Sequence, residues 1–312
     1  MVTRWVLLSS EELQKVNNKD KDNVFEIAIK QENYLTYILW DRESQSRLEI
    51  VPERGGMVTS WRIQGQDILY MDQERFANPE LSVRGGIPIL FPICGNLPDN
   101  IYTYQNKEYS LKQHGFARNL PWEVKGRFTE DFAGITLALE SNEQTLKVYP
   151  FDFELVFNYQ IQGNKLLIKQ NYTNKSEAAM PFSSGLHPYF FTSDKKDLIL
   201  EIPANQYQDQ NTKEVHPFTG DLNFEQEEID IAFSPLSRNT GSLKNNRGNW
   251  KVTFNCSDLY SALVFWTVRG KQYSCLEPWT ALRNALNTGE NLIHLEPGQS
   301  CETVVEMVVS YS

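Results

Sequence analysis

The chain has 312 residues, of which 40% are hydrophobic and 22% charged, and a formal net charge of -10. That acidity excludes a general affinity for nucleic acid or an anionic membrane, which require clustered Lys and Arg. No apolar run approaches the roughly 20 residues of a membrane helix, and the brief run at residues 5–8 is too short for a signal core.

Cys94, Cys256, Cys275 and Cys301 show neither the pairing of a disulfide framework nor the spacing of a metal finger. The expectation is a cytoplasmic protein with reduced thiols that acts on a small molecule.

In chain order, Ser9 with Glu12 three residues on has the form of a capping box for a short helix. Residues 102–104 and 109–111 flank Gln105-Asn106-Lys107 as a hairpin, and residues 135–140 are rich in strand formers. Residues 153–161 (FELVFNYQI) and 166–172 (LLIKQNY) are predicted strands around a turn at Gly163-Asn164. Residues 198–202, 251–255, 261–268 and 303–309 continue the series, and residues 282–286 suit a helical turn. No repeat or Pro/Gly/Ser linker divides the chain. The pattern predicts an all-β protein, a large antiparallel β-sandwich, as one domain over residues 1–312.

Four stretches break the strand pattern with polar groups set among Gly, Pro and aromatic residues: VRGGIPILFPICG (83–95), QHGFARN (113–119), SSGLHPYFF (183–191) and SCLEPWT (274–280). Burial beside Pro and aromatic rings would raise the pKa of Glu277 and hold His187 neutral unless a carboxylate supports its charged form. The default reading of a histidine in a β-protein is a satisfied core or surface group. That of Arg84 or Arg118 is a solvated side chain or a partner for one of the 40 acidic residues. Gly85-Gly86 lacks the Lys-Ser/Thr and the strand-to-helix context of a phosphate loop. The four dispersed histidines suggest no metal site.

Together the stretches resemble the aldose 1-epimerase (galactose mutarotase-like) superfamily, and in part its hexose-6-phosphate epimerase branch. The resemblance runs from GMVTSW (56–61) through RGGIP, HGFAR, GLHPYF, Glu228-Ile229-Asp230 and CLEPW to LEPGQ (295–299). It implies a β-sandwich of the galactose mutarotase type, an open carbohydrate cleft, no cofactor and no metal. It further implies His187 as catalytic acid, Glu277 as catalytic base and His114 as a sugar-binding group. Arg84 and Arg118 match positions that hold hydroxyls or a phosphate. Asp230 matches a carboxylate that binds hydroxyls, although Ile231 stands where the branch usually has arginine.

The residue types suit the reaction on their own terms. Interconverting anomers takes a proton from the anomeric hydroxyl and delivers one to the ring oxygen, so one base and one acid suffice. Phe91, Phe116, Tyr189 and Trp279 are candidates to stack on a pyranose, although the core is the favoured place for most of them. RGGIP and HGFAR favour a hexose 6-phosphate, whereas the Pro-Trp of CLEPW looks more like the free-sugar branches. The hairpin inserted at residues 96–110 would reshape the cleft. The competing reading is a carbohydrate-binding or regulatory protein without turnover; a glycosidase would need a second carboxylate across the bond.

Overall fold

FELVFNYQI lies in the strand Phe153–Gln162, whose side chains alternate between buried and half-buried. It pairs with Lys165–Asn174 in a register that sets Ile161 opposite Leu166 and Leu155 opposite Tyr172, around the Gly163-Asn164 turn. Alternation puts one side chain in two into the core, and each large apolar one removed from water contributes about 1.5–3 kcal/mol.

The structure, a computed structural model, describes residues 23–311; the capping box expected at Ser9 and Glu12 lies outside them. This hairpin sits inside an eight-stranded antiparallel sheet that includes Glu123–Phe128, Ala133–Glu140, Leu198–Glu201, Thr240–Asn245, Trp250–Cys256 and Ser300–Tyr311. A second sheet is formed by Val215–Pro217, Gln206–Asp209, Glu228–Phe233, Ala262–Val268, Tyr273–Trp279, Gly185–Leu186 and Ile89–Leu90, with Tyr189–Phe191 also paired to Tyr273–Trp279. A five-stranded antiparallel sheet runs from Phe25–Gln31 to Gln66–Asp67.

The two large sheets share one core. Phe190 of the second sheet packs against Trp250 and Phe254 of the first, with ring centroids 6.0 and 5.9 Å apart. The hydroxyl of Tyr159 donates to the Gly56 carbonyl at 2.7 Å and ties in the five-stranded sheet. The fold is the predicted antiparallel β-sandwich.

The hairpin at 96–110 is present as Ile101–Tyr104 paired with Lys107–Ser110. The helical turn expected at 282–286 appears as the short helix Ala285–Thr288. Sequence reading missed the helix Glu143–Val148, which Asn142 and Thr145 close with a reciprocal capping box.

Candidate active site

The strand Tyr273–Trp279 is buried along its whole length. Its alternation separates two jobs. Leu276 joins the inter-sheet core with Phe265, Ile231 and Phe190, so Cys275, Glu277 and Trp279 project from the opposite face. Cys275 there packs with Tyr189 and Tyr273, and Trp279 with Val264 and Ala232.

Strand register then assembles the site. Gly185 pairs with Trp279 and Tyr189 with Cys275, and between these pairs His187 stands opposite Glu277. Pro188 has no N–H to donate to the ladder, and the His187 N–H bonds instead to the Pro88 carbonyl at 3.0 Å. The chain is thus interrupted while its register is kept. His187 Nε2 lies 3.3 Å from Glu277 Oε1. On the next rung Cys275 pairs with Trp266, and Trp266 pairs with Asp230. Residues directly opposite share a face, so His187, Glu277, Cys275, Trp266, Tyr189 and Asp230 all belong to one side of one sheet.

Burial pushes the Glu277 carboxyl well above the usual carboxylate range, and the nearby Asp230 charge raises it further. Trp279 is more than an apolar wall: its indole N–H donates to Glu277 Oε2 at 3.1 Å, which opposes that rise. Burial also holds His187 well below the usual imidazole value, helped by the charges of Arg118 and Arg84. Each partner therefore favours its neutral form, which leaves the one proton of the couple on the Glu277 side.

His114 enters from the loop after the hairpin. Gly115 closes on Phe91, which follows the strand Ile89–Leu90; an added Cβ would lie 2.1 Å from the Phe91 carbonyl oxygen, and the Gly115 φ of +69° is left-handed. The His114 N–H bonds to the Gly95 carbonyl at 2.7 Å. The Gly95 N–H returns a bond to His114 Nδ1 at 3.0 Å. Nδ1 is therefore the acceptor and the ring proton sits on Nε2. Burial keeps this imidazole neutral, and its ring meets that of His187 edge-on at 5.4 Å.

Arg84 lies over Trp266, its guanidinium carbon 5.0 Å from the ring centroid, and donates to the Tyr189 hydroxyl at 3.4 Å. Arg118 donates to the Gln113 carbonyl at 2.9 Å, and its Nε is buried without a partner. Burial lowers its pKa, with a further contribution from Arg84. Both side chains are half-buried, and neither forms an ion pair among the described residues. Asp230 is paired, through Oδ2, with Arg283 Nη2 at 2.6 Å, while Oδ1 is buried with no partner.

Sequence reading missed Arg283. Its other donors reach Gln210 Oε1 at 3.1 Å and Asn96 Oδ1 at 2.9 Å, and it lies over Trp279 at 5.7 Å. A Cβ on Gly95 would stand 2.3 Å from Arg283 Cγ, so the glycine makes room for that side chain. Ile231 faces the core because it follows Asp230 by one residue on a strand, so the arginine that serves Asp230 comes from a distant loop. Trp266, also missed, fills the rung between Cys275 and Asp230.

Two of the candidate platforms belong to the core, the reading favoured for most of the four. Phe91 and Phe116 pack into the core around Phe153, with centroids 5.1 and 5.8 Å away, and Phe91 is fully buried. Tyr189 lies in the site but stacks on His187 at 4.6 Å, and Trp279 is occupied by His114 and Arg283. The free cysteines remain thiols, with Cys94 and Cys275 buried.

Fold and site together define a β-sandwich with a histidine–glutamate pair set on an outward sheet face and flanked by arginines. The chain belongs to the aldose 1-epimerase family, whose pattern matches residues 39–307. It is similar to the Slr1438 protein of Synechocystis sp. PCC 6803, with 51% identity, a TM-score of 0.89 and coverage of 92% of this chain and 99% of that one. A galactose mutarotase-like protein of Clostridium acetobutylicum shares the fold at 20% identity and a TM-score of 0.78, over 92% and 99% of the two chains. The chromosomal LacX protein of Lactococcus lactis subsp. lactis is 28% identical over 78% of this chain and 87% of its own. A Cenchrus ciliaris protein named "Putative glucose-6-phosphate 1-epimerase" is 31% identical over 57% of this chain and 55% of its own.

Membership places the protein among mutarotase-type isomerases that take small sugars. No helix among the described residues is long and apolar enough to cross a membrane.

Proposed function

We propose that this protein interconverts the α and β anomers of a hexose 6-phosphate. The observation that carries the reading is the pair of arginines, Arg84 and Arg118, held without a carboxylate partner beside the His187–Glu277 couple. A half-buried guanidinium lacking a counter-ion favours an anion, and its planar fork suits phosphate better than a neutral hydroxyl. The name carried by the Cenchrus ciliaris relative agrees with this substrate class.

In this reading the proton held by neutral Glu277 first passes across the 3.3 Å contact to His187; Glu277, then ionised, takes the proton of the anomeric hydroxyl, and His187, then protonated, delivers one to the ring oxygen. The bond between C1 and the ring oxygen breaks and an aldehyde forms. After rotation about C1–C2 the ring closes on the other carbonyl face. The ring-forming hydroxyl returns its proton to His187, and Glu277 returns the other to the carbonyl oxygen. No net proton or electron is consumed. The 3.3 Å separation of the couple supports this by letting one proton serve either group. His114 offers its Nε2–H to a sugar oxygen, and Asp230 Oδ1 accepts a hydroxyl.

Two-dimensional exchange NMR on equilibrated glucose 6-phosphate tests this directly. Cross-peaks between anomers that grow with wild-type protein and vanish with Glu277→Gln support it; equal exchange in both samples contradicts it.

A further inference from the structure

The acid–base reading leaves one buried nucleophile unused. Cys275 sits on the rung next to Glu277, and one ligand atom from each of His187, Cys275 and Glu277 falls within 4.8 Å of the others. All three side chains are buried and on one sheet face, so strand register fixes their grouping. We propose that this trio captures a soft divalent cation of the zinc class at the acid–base couple and thereby blocks the reaction; the inhibitory consequence, though not the capture, rests on the function proposed above.

The donor set decides the metal class. Imidazole, thiolate and carboxylate together suit zinc or cadmium, whereas magnesium and calcium select oxygen. Three protein ligands and a fourth position open to water or substrate is the arrangement of catalytic rather than structural zinc sites. Bonds of roughly 2.0–2.1 Å to N and O imply a tetrahedral edge of about 3.4 Å, and His187 Nε2 and Glu277 Oε1 are already 3.3 Å apart. Cys275 completes the set by a small side-chain movement. Coordination releases two protons to solvent, the Cys275 thiol's and the one held by the His187–Glu277 couple, and thiolate, carboxylate and neutral imidazole then balance a dication, which suits a buried position.

Two features weaken the site. Arg84 and Arg118 place positive charge nearby, and His187 Nδ1 has no hydrogen-bond partner. Outer-shell support of that kind is typically worth 10- to 100-fold in affinity. The expected behaviour is therefore reversible capture that sugar can displace.

The test uses chelator-treated full-length protein, wild type and Cys275→Ser, titrated with zinc and separately with cobalt(II). In wild type, zinc slows anomer exchange, chelator restores it, magnesium does nothing, and cobalt develops a thiolate charge-transfer absorption that excess sugar substrate bleaches. In Cys275→Ser the metal-free exchange rate is retained, the zinc concentration for half-inhibition rises at least about 10-fold, and the charge-transfer absorption is absent. Cys275→Ala gives the same result if serine perturbs folding. Equal zinc sensitivity in wild type and both variants, or cobalt binding without the thiolate absorption, overturns the proposal. If wild type showed no exchange on any sugar, the cobalt spectra would still decide the capture site, and only the functional reading would fail.

Discussion

Arg283 holds one oxygen of Asp230 and leaves the other empty-handed: Nη2 meets Oδ2 at 2.6 Å, while Oδ1 is buried with no partner. In the proposed reading this half-buried carboxylate, on the same sheet face as Glu277, accepts a sugar hydroxyl through its free oxygen. Burial raises the Asp230 pKa, and Arg283 opposes that rise. Arg283 is thus a positioning residue for Asp230.

Arg283→Met is expected to raise KM for a hexose substrate by roughly 10- to 150-fold, the size of a lost charged hydrogen bond, while changing kcat much less. Steady-state kinetics on a series of deoxy sugars checks it. The analogue that lacks the hydroxyl bound by Asp230 should lose little further on substitution. A uniform loss across the series would reduce Arg283 to a structural role.

Glu277→Gln should lower exchange by more than about 100-fold, the lower end for losing a general base. It should also stabilise the fold at neutral pH. Burial lifts the folded-state pKa above the ordinary 4.5. The folded protein therefore binds that proton more tightly than the unfolded chain, and the stability this gives is present below about pH 4.5 and is lost as pH rises through the folded-state value. Thermal unfolding across pH should show the variant's advantage growing from acid to neutral pH. A constant difference would contradict the burial argument.

His187→Asn should lower kcat far more than it alters KM, since its proton matters mainly as the ring bond breaks. His114→Asn should affect both, because in the proposed reading the Nε2–H that the Gly95 hydrogen bond enforces holds a sugar oxygen in substrate and transition state alike. A pure KM effect at His187 would move the acid role to another group.

Gly115→Ala tests how the His114 loop is held. A Cβ would stand 2.1 Å from the Phe91 carbonyl oxygen at a φ of +69°, and strain of this kind costs at least about 1–3 kcal/mol. A lowered Tm together with lost exchange is expected. Unchanged activity would mean that the loop can shift without moving the imidazole.

Much of this arrangement was legible in the sequence, for a physical reason. FELVFNYQI advertises a strand by local alternation, and the interruptions at HGFAR, GLHPYF and CLEPW mark where alternation yields to other demands. His187 and Glu277 could be singled out, but their contact arises from the register of strands about 90 residues apart, which no local pattern encodes. Arg283 was invisible for the same reason: nothing around it in the chain signals that its guanidinium joins residues from three distant segments. Which of the four aromatics lie in the core could not be read individually, because an aromatic beside a site motif reads alike whether its ring faces the cleft or the core.

The central claim is a preference for phosphate beside the acid–base couple, and the most direct measurement is the ratio of kcat/KM for glucose 6-phosphate to that for glucose, in wild type and in Arg84→Ala/Arg118→Ala. Each lost charged hydrogen bond corresponds to roughly 10- to 150-fold. The account predicts a wild-type ratio of at least about 10 that falls to near one in the double variant, with part of the activity on glucose kept. Equal efficiency on the two sugars in wild type would contradict it, and the arginines would then be ligands of neutral hydroxyls in a free-aldose mutarotase.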